Sequence, residues 1–141
     1  VRKMLDGGCG SGILAITASK LVITDITAFD TDPIAMKESV KNAGRNSVAG
    51  RVKFFCGYIQ SVTGEYDLIV ANVYLEPIFL MREEFKKRLA PGGTIVLSGI
   101  PLMRRGEAIE GMLKAGFTLS QEHVDGEWVA LELTLPREEG A

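Results

Sequence analysis

The chain has only two cysteines, Cys9 and Cys56, and a single histidine, His123, among its 141 residues. Two cysteines are too few for a disulfide framework or for a zinc site with its usual spacing, so no metal is expected. A Ser-His-Asp set would have to rest on His123 alone. Charge of one sign is lacking too: 16 basic residues against 18 acidic ones leave a formal net charge of −2. That balance gives no sign of a basic face, although a balanced total leaves room for a local patch, and nucleic acid is a secondary candidate partner. No apolar run approaches the ~20 residues that span a bilayer, and no basic segment leads into a signal-like apolar stretch. A cytoplasmic protein without a membrane span is expected.

What is present suits one soluble globular domain, with 46% hydrophobic and 24% charged residues. Apolar periodicity alternates between strand and helix, which predicts an α/β domain around a largely parallel sheet. Strands are expected at 2–6, 26–30, 52–56, 66–72 and 94–98, and helices at 12–20, 33–43, 76–89 and 107–114. Pro33 opens its helix at the first turn, and Pro91-Gly92-Gly93 stops the one before it. The end of the chain breaks the alternation. Segments 118–123 and 127–135 flank Asp125-Gly126, a hairpin signal, so the last strand should run antiparallel. A tail is expected from 136 to 141.

The most informative run is Met4-Leu5-Asp6-Gly7-Gly8-Cys9-Gly10-Ser11-Gly12, a strand that ends in one carboxylate and four glycines before a helix begins. Gly8, Gly10 and Gly12 let the backbone turn sharply and approach a ligand, and the helix from Ile13 offers unpaired N–H groups. Gly10 to Ala15 formally fits the G-x-G-x-x-A fingerprint of dinucleotide loops. Asp6, however, would repel a pyrophosphate and suits a cationic or hydroxyl-bearing ligand. S-adenosylmethionine, which has no phosphate and carries an ammonium and a sulfonium, meets that description. A ligand-free glycine turn is the plain alternative. Cys9 is expected to fill a small buried position.

Asp30 ends the second strand 18 residues after Gly12, close to the ~20-residue offset at which such folds place an acid on ribose hydroxyls. Asp32 competes for that role, but its place before Pro33 makes it the expected cap of the helix there. Asn72 ends the fourth strand at the carboxyl edge, where α/β sheets bind ligands. Its plain alternative is a polar residue bonded only to a loop.

Several segments occur together in one order: Asp6 to Ile16, Phe29-Asp30-Thr31-Asp32-Pro33, Val70-Ala71-Asn72-Val73-Tyr74-Leu75-Glu76-Pro77, Leu89 to Gly93, Leu97-Ser98-Gly99-Ile100 and Gly126-Glu127-Trp128-Val129. This set resembles the ribosomal protein methyltransferases, class I enzymes that use S-adenosylmethionine to methylate amino groups of a large-subunit ribosomal protein. The resemblance covers nearly the whole chain. It implies a Rossmann-like three-layer sandwich whose seven-stranded sheet is mostly parallel with an antiparallel C-terminal hairpin, spanning residues 1–135.

The resemblance also implies cofactor contacts at Gly8, Asp30 and Asn72. Asp6 and Gly10 of the loop complete the expected site. Asn72 is the expected catalytic residue, orienting a free amine through its side-chain carbonyl, with no dedicated general base. Trp128 and Tyr74 either line the acceptor pocket or simply pack. Three features depart from the pattern. The family carries a recognition domain and a Gly/His/Thr-rich loop upstream of the first strand, and this sequence starts at that strand. Tyr58 stands where the class usually has an acid that accepts the adenine amino group. Two other readings stay open: an RNA or small-molecule methyltransferase, since Asn72-Val73-Tyr74-Leu75 partly resembles an Asn-Pro-Pro-Tyr signature without its prolines, and a noncatalytic cofactor-binding module.

Overall fold

Met4 and Leu5 are neighbours on one strand and point to opposite faces, yet both are buried. A strand buried on both faces requires a layer of helix on each side. A computed structural model, which describes residues 2–10, 12–21 and 23–136, has that arrangement. Its strands are β1 (Lys3–Gly7), β2 (Asp25–Asp30), β3 (Val52–Cys56), β4 (Tyr66–Asn72), β5 (Leu89–Pro101), β6 (Thr118–Asp125) and β7 (Trp128–Thr134). Its helices are α1 (Ile13–Lys20), α2 (Pro33–Arg45), α3 (Leu75–Arg88) and α4 (Arg105–Lys114). The sheet order is β3-β2-β1-β4-β5-β7-β6, with β7 antiparallel to both its neighbours and the other pairs parallel.

Ala15 and Ala18 of α1 and Met36 of α2 pack with Met4, Ile26 and Ala28 on one face of the sheet. Leu75, Ile78 and Phe85 of α3 and Met112 of α4 pack with Leu5, Ile69, Leu97 and Leu131 on the other. The expected three layers and seven strands are therefore present. Strand order reverses between β1 and β4, and the carboxyl ends of such a pair splay into a crevice where α/β sheets bind ligands. Among the described residues no helix is long and apolar enough to cross a membrane.

Two boundaries differ from the expected ones for identifiable reasons. The segment Pro91 to Gly93 is no turn between elements, because β5 already starts at Leu89, which pairs with Tyr66. Thr94 pairs with Leu68, so residues 90–93 bulge out of the ladder, a place where Pro91 loses nothing by lacking an N–H. In the hairpin Asp125 pairs with Trp128, so the turn residues are Gly126 and Glu127, one position later than expected. Gly126 has φ +60°, which suits the first central position of a type II′ turn. Residues 137–141 of the expected tail, like Ser11 of the loop, lie outside the described residues.

The start of α2 follows the expected chemistry. Pro33 is its first residue, and the Asp32 carboxylate accepts the Ile34 N–H at 2.9 Å. Asp32→Ala is expected to lower stability by about 1 kcal/mol in a urea titration, through the lost cap. An unchanged midpoint would remove the capping role.

Candidate functional site

The chain leaves β1 at Gly7 and turns back over the end of β2. The N–H groups of Gly8 and Cys9 both donate to the Phe29 carbonyl at 2.9 Å. Gly8 sits at φ +77°, and a Cβ there would collide with the Val73 side chain. Only glycine lets the loop pass under Val73, which comes from the far side of the β1/β4 crevice.

Beyond it the Gly10 N–H donates to Asp30 Oδ2 and the Asp32 N–H to Asp30 Oδ1, each at 3.0 Å. Both Asp30 oxygens are thereby anchored, and each carboxylate oxygen keeps a second lone pair for another donor. The Gly10 carbonyl in turn accepts the Ser39 hydroxyl at 2.6 Å.

Asp6 lies beneath this loop, 1% exposed, and neither of its oxygens has a hydrogen-bond partner among the described residues. Burial pushes its carboxyl from 3.8 up to about 7. The Ala15 N–H works against the rise without reaching hydrogen-bond geometry, and the charge of Asp30 adds to it. A buried carboxyl with no partner regains its charge most readily beside a cation. Burial, and then the Asp6 charge, also push the Cys9 thiol up to about 12. Such a thiol is inert, and Cys9, 8% exposed, fills the small buried position expected of it.

The sign of the Asp6 shift fixes a pH dependence. The folded protein holds this proton more tightly than the unfolded chain, so stability falls as pH rises from 3.8 to about 7 and then levels off. The loss over that window is at most ~4 kcal/mol. Urea titrations at pH 5 and pH 8 should show it, and Asp6→Asn should flatten it. The same slope in both proteins would mean that Asp6 titrates normally.

Asn72 stands at the end of β4 and is exposed. Its Oδ1 lies against Gly99 of β5, in space that a Cβ at 99 would need. The structure thus gathers Asp6, Gly8, Gly10 and Asp30 around one loop and places Asn72 on the adjacent strand, across the crevice. A cavity of about 520 Å³ opens beside Gly8 and Asp30, walled by these two with Phe29, Tyr58, Val73, Tyr74, Leu80 and their neighbours. Among the described residues no Lys or Arg lines it, and Asp6, Gly10 and Asn72 are not part of its wall. Tyr58, Tyr74 and Leu80 are exposed at its mouth. A hollow of about 590 Å³ beside Ser19, Asp25 and Lys53 lies at the start of β2, the opposite edge from the one where α/β sheets bind ligands.

The remaining sequence candidates spread around the same rim or away from it. Trp128, 57% exposed, pairs with Pro101 at the end of β5, and Tyr74 precedes α3. His123 sits on the edge strand β6, 3.7 Å from Glu132. Two residues escaped the sequence reading. Val73 over Gly8 carried no local signal. Ser39 carried one: a hydroxyl residue in the buried stripe Met36, Ser39, Ala43 of α2, where an apolar residue is the rule.

A profile of the family described as ribosomal protein L11 methyltransferase (PrmA) matches residues 1–136. The ribosomal protein L11 methyltransferase of Wolinella succinogenes is 42% identical over 134 residues, which make up 94% of this chain and 46% of that protein. The chain therefore spans about half the length of such relatives. The crystal structure of ribosomal protein L11 methylase from Lactobacillus delbrueckii subsp. bulgaricus superposes with a TM-score of 0.91 at 26% identity, covering 96% of this chain and 70% of that one. A glycopeptide N-methyltransferase, MtfA, solved with S-adenosyl-L-methionine, shares the fold at a TM-score of 0.79 and 12% identity, over 96% of this chain and 88% of that one. By the profile match and the sequence identity, the chain belongs to the ribosomal protein L11 methyltransferase family.

Proposed function

We propose that this chain binds S-adenosylmethionine at the carboxyl rim of its sheet and N-methylates lysine or N-terminal amino groups of a large-subunit ribosomal protein, in the cytoplasm. The observation that carries the cofactor is Asp6, a carboxyl buried under the glycine loop where a dinucleotide would set its pyrophosphate, with Asp30 closing β2 beside a cavity that no basic residue among the described ones lines. A phosphate-bearing nucleotide would meet repulsion there, and a cationic adenosyl compound would meet attraction. Asp30 takes the ribose hydroxyls on its free lone pairs, Asp6 answers the positive charge, and Gly8 and Gly10 let the ligand lie against main chain. Tyr58, Val73 and Met81 of the cavity wall supply apolar surface for the adenine. Residues 1–135 are taken as the domain that does this.

When bound, the cofactor supplies a methyl carbon already made electrophilic by its sulfonium, so alignment of the acceptor carries most of the rate. Asn72 orients the free amine through its side-chain carbonyl, and the apolar rim favours the uncharged amine by excluding water. Support for a ribosomal protein acceptor comes from the family and from the names of the relatives. The test is incubation of the chain with methyl-labelled S-adenosylmethionine and either ribosomal protein L11 or ribosomal RNA. Label on protein amines is expected. Label on RNA, or cofactor binding without any transfer, would overturn the acceptor or the activity respectively.

A further inference from the structure

Ser39 belongs to the middle of α2, 29 residues from the loop it touches, and is fully buried. A buried hydroxyl costs free energy unless it is bonded, and this one donates to the Gly10 carbonyl at 2.6 Å. The same peptide stretch is held from the other side, where the Gly10 N–H donates to Asp30 at 3.0 Å. Gly10 is thus clamped at both of its polar atoms, one to a helix and one to the end of β2. Ser39 also packs against Gly12, whose Cβ position lies 3.1 Å from its Oγ and Cβ. The Cys9 sulfur, at 3.8 Å, is a weak neighbour and no substitute for the carbonyl as partner. A Cβ at Gly10 would meet no described residue within 4 Å beyond its chain neighbours, so the clamp leaves the α-carbon of Gly10 uncovered.

We propose that Ser39 is a positioning residue for the cofactor: its hydroxyl fixes the Gly10 peptide, and through the Gly10 N–H it fixes the carboxylate of Asp30 that receives the ribose. This rests on the S-adenosylmethionine reading above. Without the hydroxyl the half-buried Gly10 carbonyl loses its partner, and Gly10 is free to shift away from its present place. A displaced Gly10 lengthens the bond that its N–H, part of the preceding peptide, makes to Asp30. The carboxylate then keeps only the Asp32 N–H and loses its fixed orientation, so part of the binding free energy goes into ordering it again.

The test is calorimetric titration of the chain with S-adenosylmethionine. Ser39→Ala should weaken binding about tenfold, and Ser39→Thr, which keeps the hydroxyl, should recover most of that loss. A purely structural serine would lower the urea midpoint alone. In an Asp30→Asn background the effect of Ser39→Ala should shrink to about twofold or less, because both changes break one relay. Equal effects in both backgrounds would overturn the relay. A second readout needs no variant: the Gly10 amide of the unmodified chain should exchange with solvent far more slowly than an open loop amide. Fast exchange there would also overturn the proposal. If the unmodified chain binds no S-adenosylmethionine, the cofactor reading fails; if it binds and Ser39→Ala binds as tightly, only the role of Ser39 fails.

Discussion

Asp30→Ala is expected to weaken S-adenosylmethionine binding by about a hundredfold or more. Hydrogen bonds to a charged acceptor contribute about 1.5–3 kcal/mol each, and a ribose offers two hydroxyls to this carboxylate. The substitution also frees the Gly10 and Asp32 N–H groups that Asp30 now receives, so the loop itself loosens. Asp30→Asn, which keeps one acceptor oxygen, should fall between the two. Calorimetry reads the result directly. A dissociation constant within threefold of the unmodified chain would remove Asp30 from the ribose and return the choice to Asp32.

The second large effect concerns turnover rather than binding. Asn72→Ala is expected to lower the methylation rate about a hundredfold at saturating cofactor, since a misplaced acceptor loses alignment that proximity would otherwise supply. Gly99→Ala provides an independent displacement. It leaves Asn72 in the sequence, but its Cβ would occupy the space now taken by Asn72 Oδ1, at a residue whose φ is +76°. The two variants should therefore share a loss in kcat larger than the loss of cofactor affinity that the expected Asn72 contact to the cofactor adds. Normal turnover in both would make Asn72 a rim residue without a catalytic task.

The parts of this structure that were legible in the sequence are those set by local chemistry. The glycine loop, the acid closing β2 and the proline-capped start of α2 all depend on residues within a few positions of one another. Asp32 illustrates this: its capping bond to Ile34 spans two residues, and the position before Pro33 was enough to foresee it. The hairpin was legible as a hairpin, but its turn was placed one residue early because Asp-Gly is the commoner signal and here Gly126-Glu127 forms the turn.

What stayed illegible comes from long-range approach. Val73 reaches Gly8 only because β4 lies beside β1 in the sheet, and Ser39 reaches Gly10 only because α2 packs against the loop. The bulge at 90–93 likewise follows from the pairing of both Leu89 and Thr94 with β4, while the local run Pro-Gly-Gly signals a turn. For Asn72 the sequence indicated the strand end, and the structure adds the contact that orients the side chain, a glycine 27 positions later on the neighbouring strand.

Side-by-side titration of the unmodified chain with S-adenosylmethionine and with a nicotinamide dinucleotide, at pH 8, above the value of about 7 to which burial raises Asp6, tests the rim most directly. One-to-one saturation by S-adenosylmethionine and no heat from the dinucleotide is the expected result. Binding of the dinucleotide instead, or silence with both, would contradict the assignment of Asp6 and Asp30 to a cationic adenosyl ligand.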